Sequence, residues 1–122
     1  MRKAIIAIVL VALVALANPV ANAFAATPPT VYAIVPSSGP KSGGTVITIV
    51  GNNFKPNSAV IIGGLQASNV QATACSDSGD GHLNCGILYA TTPGRGVAGS
   101  TSVIVLNQNG QAAYVSGGFT YY

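Results

Sequence analysis

The sequence predicts an all-β domain, a sandwich of two packed sheets, behind an N-terminal export segment. From residue 27 onward, short runs of β-branched and aromatic residues recur every ten to fifteen positions, bounded by Gly, Pro, Asn or Ser. No window of that region shows the 3.6-residue apolar period of a helix. About seven short strands in about 96 residues, without helix, fit a sandwich.

Residues 1–25 stand apart from this pattern and are expected to be a signal peptide. Arg2 and Lys3 supply the positive start, and Ala4 to Ala17 is an uninterrupted apolar run. Asn18 and Pro19 then break the run, and Ala21-Asn22-Ala23 or Ala23-Phe24-Ala25 offers small residues at a cleavage site. The mature chain is expected to begin at Phe24 or Ala26. A run of 14 residues is short for a membrane span, which needs about 20. Two alternatives keep the segment: an uncleaved anchor, the one route to a membrane, or an assembly helix from Ile5 after prepilin-type cutting behind Lys3. Pro19 weakens that helix, because an interior proline costs about 3 kcal/mol.

The domain proper is expected over residues 31–122, after a proline-stiffened lead-in at 26–30. Val31 to Val35 is the first strand, stopped by Pro36-Ser37-Ser38-Gly39. Thr45 to Val50 alternates, with Ile47 and Ile49 on one face, and Gly51 is expected to end it where Phe54 folds back onto the core. Ala59 to Ile62 ends at Gly63-Gly64, and Leu65 to Thr73 is irregular, one strand or two. A loop bounded by Cys75 and Cys85 follows, and then a strand from Gly86 to Ala90, cut by Thr91-Thr92-Pro93-Gly94. Thr101 to Leu106 and Gln111 to Val115 flank Asn107-Gln108-Asn109-Gly110, a hairpin turn in which Gly takes positive φ. Phe119 to Tyr122 closes the chain. The expected core is Ile34, Ile47, Ile49, Phe54, Val60, Ile62, Val103, Val105 and Phe119.

The Gly-rich stretch "SGPKSGGTVITIVGNNF" at 38–54 is not a phosphate loop. Such a loop lies between a strand and a helix whose amides meet the anion, whereas these glycines precede a strand. They are scaffold corners. The stretch resembles the IPT/TIG family of immunoglobulin-like domains, through Pro29, Ile34, Pro36, Ser38-Gly39-Pro40, Gly43-Gly44-Thr45, Ile47, Ile49, Gly51 and Asn53-Phe54. Val60, Ile62, Gly63-Gly64 and Ala67 continue the match, and Thr92-Pro93, Gly99, Val103, Val105, Asn107, Gly110 and Phe119-Thr120-Tyr121 complete it. The resemblance covers residues 29 to 122 and departs at 74–86, the Cys-bounded insert. It implies an immunoglobulin-like sandwich that binds rather than catalyses, as a surface-receptor module, a spacer in an exported enzyme, or a dimerisation or DNA-binding piece of a Rel-type transcription factor. The export segment argues against the last, and a domain expected to stand alone would have no catalytic neighbour to space.

Little catalytic chemistry is present. Beyond the export segment the chain holds one His, two Asp and no Glu. His82 and Asp80 are neighbours, but a nucleophilic relay needs a rigid, dry pocket that a short polar loop does not make. Asp77-Ser-Gly-Asp80-Gly81 offers calcium two carboxylates where six to eight oxygens are wanted, so turn chemistry is the better account. No metal, no cofactor and no enzyme activity are expected. Lys41, Lys55 and Arg95 face Asp77 and Asp80, a net charge of about +1, and three scattered cations make no phosphate footprint for nucleic acid. Cys75 and Cys85 are expected to pair, as cysteines of exported chains do. Tyr32, Tyr89, Tyr114, Tyr121 and Tyr122 could form a sugar platform, but packing on the strands is the stronger expectation.

The expectation is therefore an exported, non-catalytic module, secreted or at the cell surface, that recognises a protein or glycan through its end loops. Candidate contacts are Ser37, Ser38, Lys41, Asp77, Asp80, His82, Asn84 and Arg95. The alternative is a self-associating subunit of a surface layer, filament or pilus, favoured by low charge and exposed strand edges. With so few charges, contacts are expected to be nearly insensitive to salt.

Overall fold

The structure, a computed structural model, describes residues 27–77 and 83–122. The expected signal segment, its cleavage point, Asp80 and His82 lie outside the described residues. The described chain forms nine strands and no helix: β1 Thr30–Val35, β2 Ser38–Gly39, β3 Val46–Phe54, β4 Ala59–Ile62, β5 Leu65–Gln66, β6 Ser68–Asp77, β7 Leu83–Thr91, β8 Gly99–Leu106 and β9 Ala112–Tyr121. One sheet has four strands in the order β1-β3-β7-β6, and the other five in the order β2-β9-β8-β4-β5. All pairs are antiparallel except β2 with β9.

The core follows from alternation along the central strands. In β3, Ile47 and Ile49 point inward and are fully buried, while Val46, Thr48 and Val50 face out. Val60 and Ile62 of β4, Leu88 and Ala90 of β7, Val103 and Val105 of β8 and Phe119 of β9 meet them between the sheets. Eight of the nine expected core residues are fully buried. Ile34 is the exception: it only packs against the core from the side. Its strand β1 lies at the sheet edge and carries a bulge between Val31 and Ala33, so Ile34 packs beside Gly118 of β9 at the rim of the core rather than at its centre.

Several boundaries differ from expectation for local reasons. β3 runs past Gly51 to Phe54, because the register shift between Val50 and Phe54 absorbs the Gly-Asn-Asn step and returns Phe54 to the inner face. The two expected segments 111–115 and 119–122 merge into one strand, β9 Ala112–Tyr121, whose register against β8 shifts around Gly117 at φ 67°. The Cys-bounded insert is not a free loop from its first residue, since Cys75 and Cys85 sit directly opposite each other on paired strands, with Ser76 opposite Asn84 and Asp77 opposite Leu83. They are disulfide-bonded, as expected.

The edges are less open than the low charge suggested. β2 and β5 are two residues each. β1 has its bulge, and β6 shifts register between Ser68 and Gln71, where Asn69 takes φ 52°, and holds Ala74 in the left-handed region at φ 56°. The sandwich guards its edges.

Candidate functional site

β3 enters at the end where Val46 lies opposite Thr91 and leaves where Phe54 lies opposite Cys85, which defines two ends of the sandwich. The candidate residues divide between them. Ser37, Ser38, Lys41 and Arg95 gather at the Val46 end, and Asp77 and Asn84 lie at the Phe54 end. They are not one site.

At the Val46 end, two loops and the last strand form a single surface. The chain leaves β1 through a cis Val35–Pro36 peptide and joins β9 as β2, with Ser38 opposite Thr120 and Gly39 opposite Tyr121. Thr120 N donates to Ser37 O at 2.9 Å, Tyr122 N to Gly39 O at 2.9 Å, and Lys41 N to Tyr122 O at 2.8 Å. The Lys41 carbonyl then receives Arg95 N at 2.8 Å and Gly96 N at 3.4 Å, tying the 40–44 turn to the 92–97 loop. Gly43 sits at φ 84°, where a Cβ would come within 2.5 Å of Gly94 N, so only glycine permits this approach. Thr45 and Thr92 complete the junction: Thr45 N donates to Thr92 Oγ1 at 3.0 Å and Thr92 N to Thr45 O at 2.9 Å.

Arg95 is half-buried, with its guanidinium carbon 5.9 Å from the centre of the Tyr121 ring. Its Nη1 is buried and has no hydrogen-bond partner among the described residues. Tyr121 is a fully buried core residue whose hydroxyl donates to Pro93 O at 2.7 Å, and its ring meets Phe119 edge-on at 5.0 Å. Burial pushes the Tyr121 phenol above its ordinary value, partly offset by the Arg95 charge. Ser37, Ser38 and the Lys41 side chain are exposed. Among the described residues the platform thus presents an exposed cation, Lys41, and a second, Arg95, held by an aromatic ring.

At the Phe54 end the chemistry is structural. Lys55 Nζ donates to Asn84 Oδ1 at 2.6 Å, which gives that candidate a partner within the fold. Ser58 Oγ donates to Asn107 Oδ1 at 2.7 Å and receives Lys55 N at 2.8 Å, while Asn107 Nδ2 donates to Asn53 O at 3.1 Å. Ser58 and Asn107 are buried, and the sequence assigned Asn107 a turn position but no partner. Its signal was present in the resemblance. Asp77 is exposed at the last position of β6. Among the described residues no three of His, Cys, Asp and Glu gather as metal ligands would.

The tyrosines do not pack as expected. Only Tyr121 is core, while Tyr32, Tyr114 and Tyr122 are each 65% exposed or more and Tyr89 is 39% exposed. Tyr89 stands on the outer face of the four-stranded sheet and Tyr114 on that of the other, so they form no common row.

Comparisons with known proteins agree on the scaffold. A family model described as the IPT/TIG domain matches residues 29–121. Human Fibrocystin-L is 37% identical over 83 residues, which is 66% of this chain and 2% of that protein. The plexin A4 extracellular region, solved as domains 1 to 8, superposes with a TM-score of 0.56 at 21% identity, over 79% of this chain and 9% of that one. Its domains 1 to 10 give 0.57 at 21% identity, over 79% and 7%. The chain spans less than a tenth of the length of each of these proteins.

Proposed function

The chain belongs to the IPT/TIG family of immunoglobulin-like domains, and from that premise we propose that it is an exported, non-catalytic module recognising a protein outside the cell through the Val46-end platform. One observation carries the reading. The Lys41 carbonyl holds the 92–97 loop while its own amide is held by the last strand, so the two loops and the C-terminus form one pre-ordered surface. Binding to such a surface avoids most of the ordering cost that a loose loop incurs. Loops on a rigid sandwich are also where immunoglobulin-like scaffolds place recognition. The Cys75–Cys85 disulfide fits an oxidising compartment, and a plexin extracellular region shares the fold.

With Lys41 free and Arg95 beside it, the platform suits a protein surface that offers carboxylates. The test is capture of surface proteins by the purified protein and by its Lys41→Glu variant, whose backbone contacts are unchanged. Loss of the captured protein on Lys41→Glu, with the fold intact by circular dichroism, supports the reading. Equal capture by both forms refutes it, and capture abolished by glycosidase treatment moves the partner to the glycan class.

A further inference from the structure

The Val46-end platform carries more than its two cations. Val97, in the 92–97 loop, is 61% exposed, and Tyr122, just past the last strand, is 69% exposed. Lys41 joins them through its backbone, since its amide donates to Tyr122 O and its carbonyl accepts from Gly96 N. Those bonds keep the Tyr122 and Val97 backbones on the order of 10 Å apart, the span of about three residues of extended chain. Arg95 has a seat that the fold prepares for it. A Cβ on Gly63 would stand 3.4 Å from Arg95 Nε, so the side chain runs close over the β4–β5 turn and ends against the Tyr121 ring. Neither cation pairs with an acidic side chain among the described residues, because Asp77, the one they include, lies at the Phe54 end. Nη1 of Arg95 also lacks a hydrogen-bond partner among them. The fold orders this guanidinium without neutralising it.

We infer that the platform takes a short segment of a partner protein in which an acidic side chain stands next to apolar ones. Arg95 holds the carboxylate, and Val97 and Tyr122 are covered by the apolar neighbours. The inference rests on the platform reading and names the chemistry of the partner. Charge selects the acid. A guanidinium matches a carboxylate through two parallel N–H···O bonds, and one already fixed against an aromatic ring gives up little freedom in making them. Exposed Val97 and Tyr122 select apolar neighbours for that acid, because covering them excludes water from the ion pair and strengthens it. Arginine and tyrosine are also residue types in which interface energy concentrates. Other macromolecular classes fit less well. Two cations are too few to hold a lipid surface or to track a phosphate backbone. A neutral glycan would cover the guanidinium and give it no charge to pair with.

Panning a phage-displayed library of short random peptides on the exported, purified protein tests it, with the affinities of the enriched peptides then measured by fluorescence anisotropy. The expected peptides share an Asp or Glu close to an aromatic or large aliphatic residue. Changing that acid to its amide should weaken binding to the parent protein at least tenfold, a reading that needs no variant of the protein to fold. Arg95→Gln should weaken binding by a similar factor, and Arg95→Lys, which keeps the charge and loses the fork, by at least threefold. Val97→Ser should weaken it at least threefold, and Tyr114→Ser, on the outer face of the other sheet, should leave it unchanged. No enrichment overturns the inference, as does an enriched set that needs no acid or binds Arg95→Gln as tightly as the parent. Peptides that need no acid but are lost on Lys41→Glu and Val97→Ser refute this inference and leave the platform reading standing. Peptides indifferent to every platform variant refute both.

Discussion

Replacing Asn107 by Ala removes the polar pin between the β3–β4 turn and the β8–β9 hairpin. Its side chain accepts from Ser58 Oγ and donates to Asn53 O, two hydrogen bonds worth about 1 kcal/mol each. The partners left behind are worse off than before they were paired. Ser58 is 6% exposed and cannot turn to bulk water, and a stranded buried polar group costs about 1–3 kcal/mol. The expected loss is about 3–4 kcal/mol, a large fraction of the 5–15 kcal/mol typical of a domain. With a urea slope of about 1–1.5 kcal/mol/M, the unfolding midpoint should fall by about 2–4 M. The chain has no Trp, so tyrosine fluorescence and far-ultraviolet circular dichroism are the probes. Ser58→Ala in the same background provides the control: the double variant should cost about 1 kcal/mol less than the sum of the singles, because the two share one bond. A loss below 1 kcal/mol for Asn107→Ala, or strict additivity with Ser58→Ala, would refute the reasoning.

Phe54→Ala should cost about 3–5 kcal/mol by denaturant titration, since the ring is fully buried opposite Cys85. Replacing Cys75 and Cys85 together by Ser should lower stability by about 2–3 kcal/mol and leave the fold in place, and two reactive thiols in the unreduced parent would contradict the bond. The raised Tyr121 phenol sets an alkaline limit: its contribution is fully present below the ordinary value of 10.0 and is lost as pH rises from there through the folded value. Stability measured across pH 9 to 12 should therefore fall more in the parent than in Tyr121→Phe, although that variant starts lower by the Pro93 hydrogen bond.

Alternation in β3, β4 and β8 made most of the core legible, because a period of two over four or more residues has one buried solution. Ile34 failed for a reason no local pattern carries: whether a strand lies at an edge depends on pairing across the whole chain. The same limit hid which loops meet. Lys41 and Arg95 are 54 positions apart and are joined by one carbonyl, while Asn84, ten positions before Gly94 in the next loop, lies at the opposite end of β7. Ser58 and Asn107 look like ordinary turn residues, and only their burial against each other, 49 residues apart, gives them a role. The left-handed Ala74 had no signal, since Ala rarely adopts that conformation, whereas Asn69 is of a residue type that adopts it readily.

The clasp of β2 on β9 has a mechanical consequence. β1 starts at one end of the sandwich and β9 finishes at the other, and β2 lies parallel to β9. A pull that draws Thr30 and Tyr122 apart runs along those strands and loads the bonds Thr120 to Ser37, Tyr122 to Gly39 and Lys41 to Tyr122 in shear. Bonds loaded in shear share the force and must rupture nearly together, whereas a hairpin peeled from its tip gives way one bond at a time. Tension along this axis therefore loads the clasp together with the β1–β3 ladder, and the platform that the clasp organises keeps its shape until the clasp breaks.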